Sequence, residues 1–217
     1  HERTRPLLMG IVNVTGDSFS EGGASSPATA VDRALALLDE GADLLDIGGE
    51  STRPGAAVIP ADEESLRVVP VLRELRKLRP SAILSVDTRK AGVARAALDC
   101  GVDMINDVSM LRFSPDMADV VAASDAALII AHSRGTPQNM RNSEFHDYGD
   151  DPVAAVVAEL AGAKAKALAA GVADEKIYVD PDFGFAKTPE QDWEILRRID
   201  ELHQLGPVVA GMSRKSF

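Results

Sequence analysis

Asp87, Asn106 and Asp180 each stand at the end of a short apolar run. Their carboxylate and amide groups, converging on one place, could read the donor and acceptor edge of a flat heterocycle. Taken singly, each has a plainer reading as a helix cap or a loop-bending residue. A second grouping suits an anion. Ser51, Thr52 and Arg53 lie between Gly48-Gly49 and Gly55, and the planar guanidinium fork of Arg53 fits a pair of phosphate oxygens. Its plainer reading is a surface ion pair. Asn13 and Thr15 follow another apolar run, and Mg2+, which takes few protein ligands when phosphate oxygens supply the rest, could be met by the amide oxygen of Asn13. Ser213-Arg214-Lys215-Ser216 sets two cations and two hydroxyls where a helix N-terminus would also favour an anion. Other chemistries lack their residues. No Cys/His grouping has zinc spacing, no G-x-S-x-G elbow occurs, and the four histidines have no recognisable nucleophile partner.

These groups are far apart in sequence, so an architecture that gathers strand ends must position them. Seven short apolar runs read as strands: Leu7–Val12, Asp43–Ile47, Ala82–Val86, Asp103–Ile105, Ala126–Ala131, Lys176–Val179 and Pro207–Ala210. Their continuous apolar character is that of parallel strands covered on both faces. Helical patterns fall between them, most clearly Ala28–Glu40, Asp62–Leu78, Lys90–Cys100 and Pro152–Ala170, the last with Gly171 as C-cap. The stretch from Ser133 to Asp151, rich in Gly, Pro, Asn and charge, reads as a surface excursion rather than a domain boundary. Polar and glycine residues follow every strand, whereas a doubly wound sheet would use only the ends near its switch point. The expectation is therefore a TIM (β/α)8 barrel, whose strand C-termini share one face. Such barrels usually need about 250 residues. After the seventh strand only a helix start at Ser213–Phe217 remains, so the reading is one barrel domain over residues 1–217 with its eighth strand missing.

Composition limits the partners. A formal charge of −11 and a pI near 4.8 disfavour broad nucleic-acid or anionic-membrane surfaces. Any anionic ligand needs a local basic site. The one cysteine, Cys100, cannot form an intrachain disulfide and reads as a small buried thiol. No apolar run approaches the roughly 20 residues of a membrane helix, and no apolar signal core follows the first residues. The expectation is a cytoplasmic protein of small-molecule substrates, with no nucleic acid and no membrane.

Two blocks bring a family into view. Met9-Gly10-Ile11-Val12-Asn13-Val14-Thr15-Gly16-Asp17-Ser18-Phe19-Ser20-Glu21-Gly22-Gly23 and Asp46-Ile47-Gly48-Gly49-Glu50-Ser51-Thr52-Arg53-Pro54-Gly55 resemble dihydropteroate synthases. Further matches follow in order at Ser85-Val86-Asp87-Thr88, Ile105-Asn106-Asp107-Val108-Ser109, Asp180-Pro181 through Gly184-Phe185-Ala186-Lys187-Thr188, and Ser213-Arg214-Lys215-Ser216-Phe217. The resemblance implies a transferase of folate biosynthesis that joins 6-hydroxymethyl-7,8-dihydropterin pyrophosphate to p-aminobenzoate. It implies that Asp87, Asn106, Asp180, Phe185 and Lys215 hold the pterin, and that Asn13, Ser51, Thr52 and Arg53 hold the pyrophosphate, with Mg2+ on Asn13. Phe19, Thr52, Pro54 and Ser216 would shape the p-aminobenzoate pocket, and Asp87, Asp180, Lys215 and Arg53 would carry the catalysis. A homodimer through outer helices is implied as well.

The chain departs from the family pattern at Gly16, where proline is usual, at Glu21, where aspartate is usual, and at Asp182, where glycine is usual. The last adds a carboxylate beside Asp180 that either raises one of the two pKa values or points to solvent. The arginine and histidine that similar enzymes carry after strand eight have no counterpart before Phe217. Two further readings share the barrel: a methyltransferase domain that binds a methylated folate, and a pterin-binding module without turnover. The S-T-R-P-G and S-R-K-S segments favour a ligand with a pyrophosphate, which the methyltransferase reading lacks.

Overall fold

A computed structural model describes residues 5–14, 26–51, 55–213 and 215. Six strands alternate with helices: β1 (Met9–Asn13), α1 (Pro27–Asp39), β2 (Leu44–Gly48), α2 (Ala61–Leu78), β3 (Ile83–Asp87), α3 (Ala91–Leu98), β4 (Met104–Asp107), α4 (Met117–Ala122), β5 (Ala127–Ala131), α5 (Pro152–Ala170), β6 (Ile177–Asp180) and α6 (Pro189–Arg197). The strands hydrogen-bond in chain order, β1 to β6. A doubly wound sheet would reverse that order at its switch point, so the barrel-type succession of parallel β/α units is the one adopted.

Local sequence explains the helix ends. Ser26 accepts from the Thr29 N–H at 3.2 Å, with Pro27 opening α1. Asp151 accepts from the N–H groups of Val153 and Ala154 ahead of α5, which Gly171 closes at φ 103°. Thr188 and Gln191 form a reciprocal capping box at the start of α6. α2 carries Asp62, Glu63 and Glu64 in its first turn and Arg76 and Lys77 in its last, the arrangement the helix dipole favours.

The chain divides into two compact units, one from residues 1–51 and 58–105, the other from 52–57 and 106–217. In the first, β1, β2 and β3 pair in parallel, and the apolar faces of α1, α2 and α3 pack in succession. Leu45, Ile47, Leu72, Leu75, Leu84 and Val86 are fully buried there. In the second, β5 pairs with β6, and α5 packs on α4, on α6 and on the 3-10 turn Ile199–Leu205. Its core centres on Leu128, Ile129, Ile130, Leu160 and Phe183.

Three expectations need correction. Pro207–Ala210 makes only an isolated parallel bridge, Val179 to Val208, so six strands rather than seven form among the described residues. Pro207 has no N–H to donate, and Gly206 before it takes φ 142° with the Ile177 carbonyl 2.8 Å from where a Cβ would sit. Cys100 is half-buried rather than buried, its thiol directed to the Ala96 carbonyl at 3.2 Å. β1 is not covered on both faces, since Ile11 is 59% exposed.

Candidate active site

Five of the six strands run one to two residues past the apolar runs that announced them, so Asn13, Gly48, Asp87, Asp107 and Asp180 are themselves last strand residues. Their backbones belong to the ladder, which fixes where each side chain leaves the sheet. In the first unit, Asn13 pairs with Gly48 and Gly48 with Asp87, so the three ends are level. A Cβ on Gly48 would lie 3.6 Å from the Asn13 amide oxygen and 3.5 Å from a carboxylate oxygen of Asp87. The bare glycine thus leaves a notch flanked by two hard oxygen donors, the donor type Mg2+ prefers. The fit is to an ion whose other ligands come from substrate, because no group of three or more His, Cys, Asp or Glu among the described residues could hold a metal ion.

Behind this notch lies a buried ion network that sequence reasoning missed. Glu50, which follows β2, accepts from Arg89 at 2.9 Å, from Lys90 at 2.8 Å and from the Ile59 N–H at 3.0 Å. Lys90 also pairs with Glu64 of α2, and all four side chains are buried. Burial pushes the Glu50 carboxyl up, but the hydrogen bonds from Arg89 and Lys90 outweigh it and hold the group below the usual carboxylate range. Through Glu50 the return of the S-T-R-P-G segment at Ile59 is tied to the Asp87-Thr88-Arg89-Lys90 turn. Ser51 lies at the edge of the same unit, half-buried. Thr52, Arg53 and Pro54, with Phe19 and Ser216, lie outside the described residues, as do Gly16 and Glu21.

In the second unit, Asn106 and Asp107 end β4 and are buried. Asp107, for which no role was foreseen, bends the loop by accepting from the N–H groups of Ser109 at 2.7 Å and Leu111 at 3.0 Å. It thereby fixes a turn in which Met110 and Leu111 both hold left-handed backbone, at φ 57° and 55°.

The second unit brings Asp180, Phe185 and Lys215 together. Asp180 accepts from the Asp182 N–H at 2.7 Å, and the Lys215 ammonium stands 4.2 Å over the Phe185 ring and 3.9 Å from the Asp182 carboxylate. Lys215 also donates to the Phe183 carbonyl. Burial first, and then the charge of Asp182, push Asp180 up to about 7, while burial, against Lys215 and Lys187 and with Asp192 adding to it, pushes Asp182 up to about 6. Asp182 does not point to solvent. It is 16% exposed and has left-handed backbone at φ 50°.

The loop between β6 and α6 is held by its own backbone. Lys187, buried, donates to the carbonyls of Asp182 at 3.2 Å and Phe185 at 3.0 Å. Tyr148 donates to the Ala186 carbonyl at 3.0 Å, and the Gly184 N–H meets both oxygens of Asp192. Lys187 also contacts His132 Nδ1 at 3.1 Å, and His132 Nε2 meets Glu159 of α5 at 3.2 Å. Arg134 braces Glu159 at 3.0 Å and lies 3.6 Å over the Tyr148 ring. Burial lowers the Lys187 pKa to about 8 and, with the Lys187 charge adding to it, that of His132 to about 3. Burial alone would raise Glu159, but the hydrogen bonds from His132 and Arg134 bring it to about 2.

A neutral His132 between an ammonium and a carboxylate has one consistent tautomer, with the proton on Nε2 facing Glu159 and Nδ1 accepting from Lys187. Nitrogen-15 NMR is expected to show that tautomer unchanged from pH 8 to pH 5. A titration near 6.5 would contradict the assignment. The folded pKa lies below the ordinary value, so the stability it contributes is present above pH 6.5 and is lost as pH falls toward 3.

The surface excursion also meets the phosphate-type segment. The Gly55 N–H donates to the Pro137 carbonyl and Gln138 Nε2 to the Ala56 carbonyl, each at 2.7 Å. Two oxygen donors beside a glycine notch, and an acidic pair with a lysine over an aromatic ring, describe an α/β enzyme that binds small polar molecules at strand ends. A model of the family described as pterin binding enzyme matches residues 9–217, and the chain belongs to that family. Within it the similarity is to dihydropteroate synthases. The dihydropteroate synthase of Synechocystis sp. is 44% identical over 98% of this chain and 73% of its own length. The Xanthomonas albilineans dihydropteroate synthase with 4-aminobenzoic acid is 43% identical with a TM-score of 0.86, over 98% of this chain and 74% of that one. The Burkholderia cenocepacia enzyme complexed with 7,8-dihydropteroate is 42% identical with a TM-score of 0.83, over 98% and 73%.

Proposed function

We propose that the protein catalyses the condensation of 6-hydroxymethyl-7,8-dihydropterin pyrophosphate with p-aminobenzoate to give 7,8-dihydropteroate and pyrophosphate. Membership of the pterin-binding family over residues 9–217 carries the reading, and relatives solved with 4-aminobenzoic acid and with 7,8-dihydropteroate support it. The side chains at the end of β6 suit the task. An acceptor carboxylate at Asp180, a donor at Lys215 and an aromatic face at Phe185 offer an edge and a plane to a flat heterocycle. Asp87 and Asn106 complete the pterin set. Asn13, Ser51, Thr52 and Arg53 take the pyrophosphate, and Phe19, Thr52, Pro54 and Ser216 take the p-aminobenzoate.

In the reaction the bond between the pterin methylene carbon and the pyrophosphate oxygen breaks, and the electron pair leaves with pyrophosphate. The arylamine nitrogen then attacks the cationic methylene, a carbon–nitrogen bond forms and the amine proton is lost. Arg53 would stabilise the charge growing on the leaving group, and the carboxylates Asp87 and Asp180 the cation. Mg2+, held by Asn13 and substrate oxygens, would supply further neutralisation of the pyrophosphate. No covalent bond to the protein is required. A cytoplasmic setting accords with the one free thiol, and no helix among the described residues is long and apolar enough to cross a membrane. A homodimer through late helices accords with exposed Leu168 on α5 and Trp193 on α6.

Mass spectrometry tests the reaction. The full-length protein, mixed with the two substrates and Mg2+, is expected to form dihydropteroate, and Asp180→Asn to form none. Pterin binding measured by calorimetry without product would identify a binding module instead, and absence of both would refute the reading.

A further inference from the structure

Among the described residues, the turn that follows β6 gathers one acidic side chain more than basic ones. Asp180, Asp182 and Asp192 bring three carboxylates, while Lys187 and Lys215 bring two ammonium groups. His132, the remaining titratable group facing Lys187, is buried and neutral. Asp192 is committed to the Gly184 N–H through both oxygens, at 3.0 and 2.9 Å. Asp180 and Asp182 belong to one turn, closed by the 2.7 Å bond from the Asp182 N–H to Asp180 Oδ1. Glycine, the residue the family pattern has at 182, would leave two carboxylates facing two ammonium groups. It would also suit the backbone, which is left-handed at this position. The Asp182 carboxylate is turned inward, 3.9 Å from the Lys215 ammonium that lies over Phe185.

We propose that Asp182 is a positioning residue of the pterin end of the site, whose inward carboxylate draws on the Lys215 ammonium over Phe185 and, standing in the same turn as Asp180, sets how pterin capture depends on pH. The proposal rests on the functional reading above. A carboxylate accepts two N–H groups from a heterocycle edge only when ionised, because a protonated carboxyl gives up an acceptor and presents a donor. As Asp180 takes up a proton, the fraction of sites able to bind falls, and the apparent affinity falls with it. Burial, and then the charge of Asp182, push Asp180 up to about 7, which sets that loss between pH 8 and pH 6. Without the Asp182 carboxylate the repulsion disappears while Lys187 and Lys215 remain, so the Asp180 transition moves to lower pH.

The test uses the full-length protein, Asp182→Gly and Asp182→Asn, the second keeping a residue that tolerates left-handed backbone. Calorimetric titration with 6-hydroxymethylpterin across pH 6 to 8 is expected to show about a tenfold loss of wild-type affinity at the acid end. Both variants are expected to lose less than about threefold over that range. In parallel, carbon-13 NMR of aspartate-labelled, ligand-free protein follows the carboxyl of Asp180, whose midpoint is expected near neutrality in wild type and lower in both variants. Superimposable binding profiles with an unmoved Asp180 midpoint would overturn the proposal and leave the functional reading standing. A wild type that binds no pterin at any pH would overturn both.

Discussion

Replacing Lys187 with methionine is expected to destabilise the protein by about 3 to 5 kcal/mol, the range for breaking a buried charged network. Methionine keeps most of the apolar stem, so the loss isolates the ammonium. That group serves two part-buried loop carbonyls and the buried His132 Nδ1, all of which would lose their donor. The loop it fastens contains Asp182 and Ala186 in left-handed backbone, conformations that persist only when neighbours over-determine them. The loss of the ammonium also removes a positive charge facing Asp180 and Asp182, so their pKa values rise further. Urea unfolding measures the first effect, and carbon-13 NMR of the aspartate carboxyls the second. A loss below about 1 kcal/mol would show that water or a rearranged loop replaces the ammonium.

Glu50→Ala is expected to cost a comparable amount, about 3 to 5 kcal/mol, because it removes from a buried place the carboxylate that both Arg89 and Lys90 pair with. Glu50→Gln keeps an acceptor for Ile59 and is expected to cost about 2 kcal/mol. The sign of the pH dependence separates this network from a neutral one. The folded Glu50 pKa lies below its ordinary value, so its contribution is complete above about pH 4.5 and is lost as pH falls. Wild-type stability is therefore expected to decline in acid more steeply than that of Glu50→Gln, as read from urea midpoints at pH 7 and pH 3.5. Parallel declines would mean that the Glu50 charge contributes nothing to stability at this place.

Strand positions were legible because a parallel strand covered by helices is a short apolar run between polar ends. The six that form lie within two residues of their expected bounds, and α5 matches from Pro152 to Ala170. Pro207–Ala210 misled because its apolar character hid the missing donor of proline. At the site, Asp180, Phe185 and Lys215 were found from motif residues and stand together. Thr52, Arg53, Pro54, Phe19 and Ser216 remain expectations. Less legible were the groups that hold these residues. Glu64 sits in an acidic first turn that reads as a solvated helix start, yet it is fully buried on Lys90. His132 and Glu159 lie 27 residues apart on elements of unrelated period, so no spacing announces their contact. Lys187 was visible in a matching motif, but its partners are backbone carbonyls, which every residue possesses and no sequence marks.

The use of carbonyls has an evolutionary corollary. Four successive anchor points on the β6–α6 loop, at residues 182, 183, 185 and 186, are main-chain oxygens. Apart from Lys187 and the three positions with left-handed backbone, 182, 184 and 186, the shape of the loop is thus largely indifferent to which side chains it displays. Asp182 itself enters that frame through its carbonyl rather than its carboxylate. Binding preferences at this rim are accordingly free to drift by single substitutions while the frame beneath them stays under separate selection.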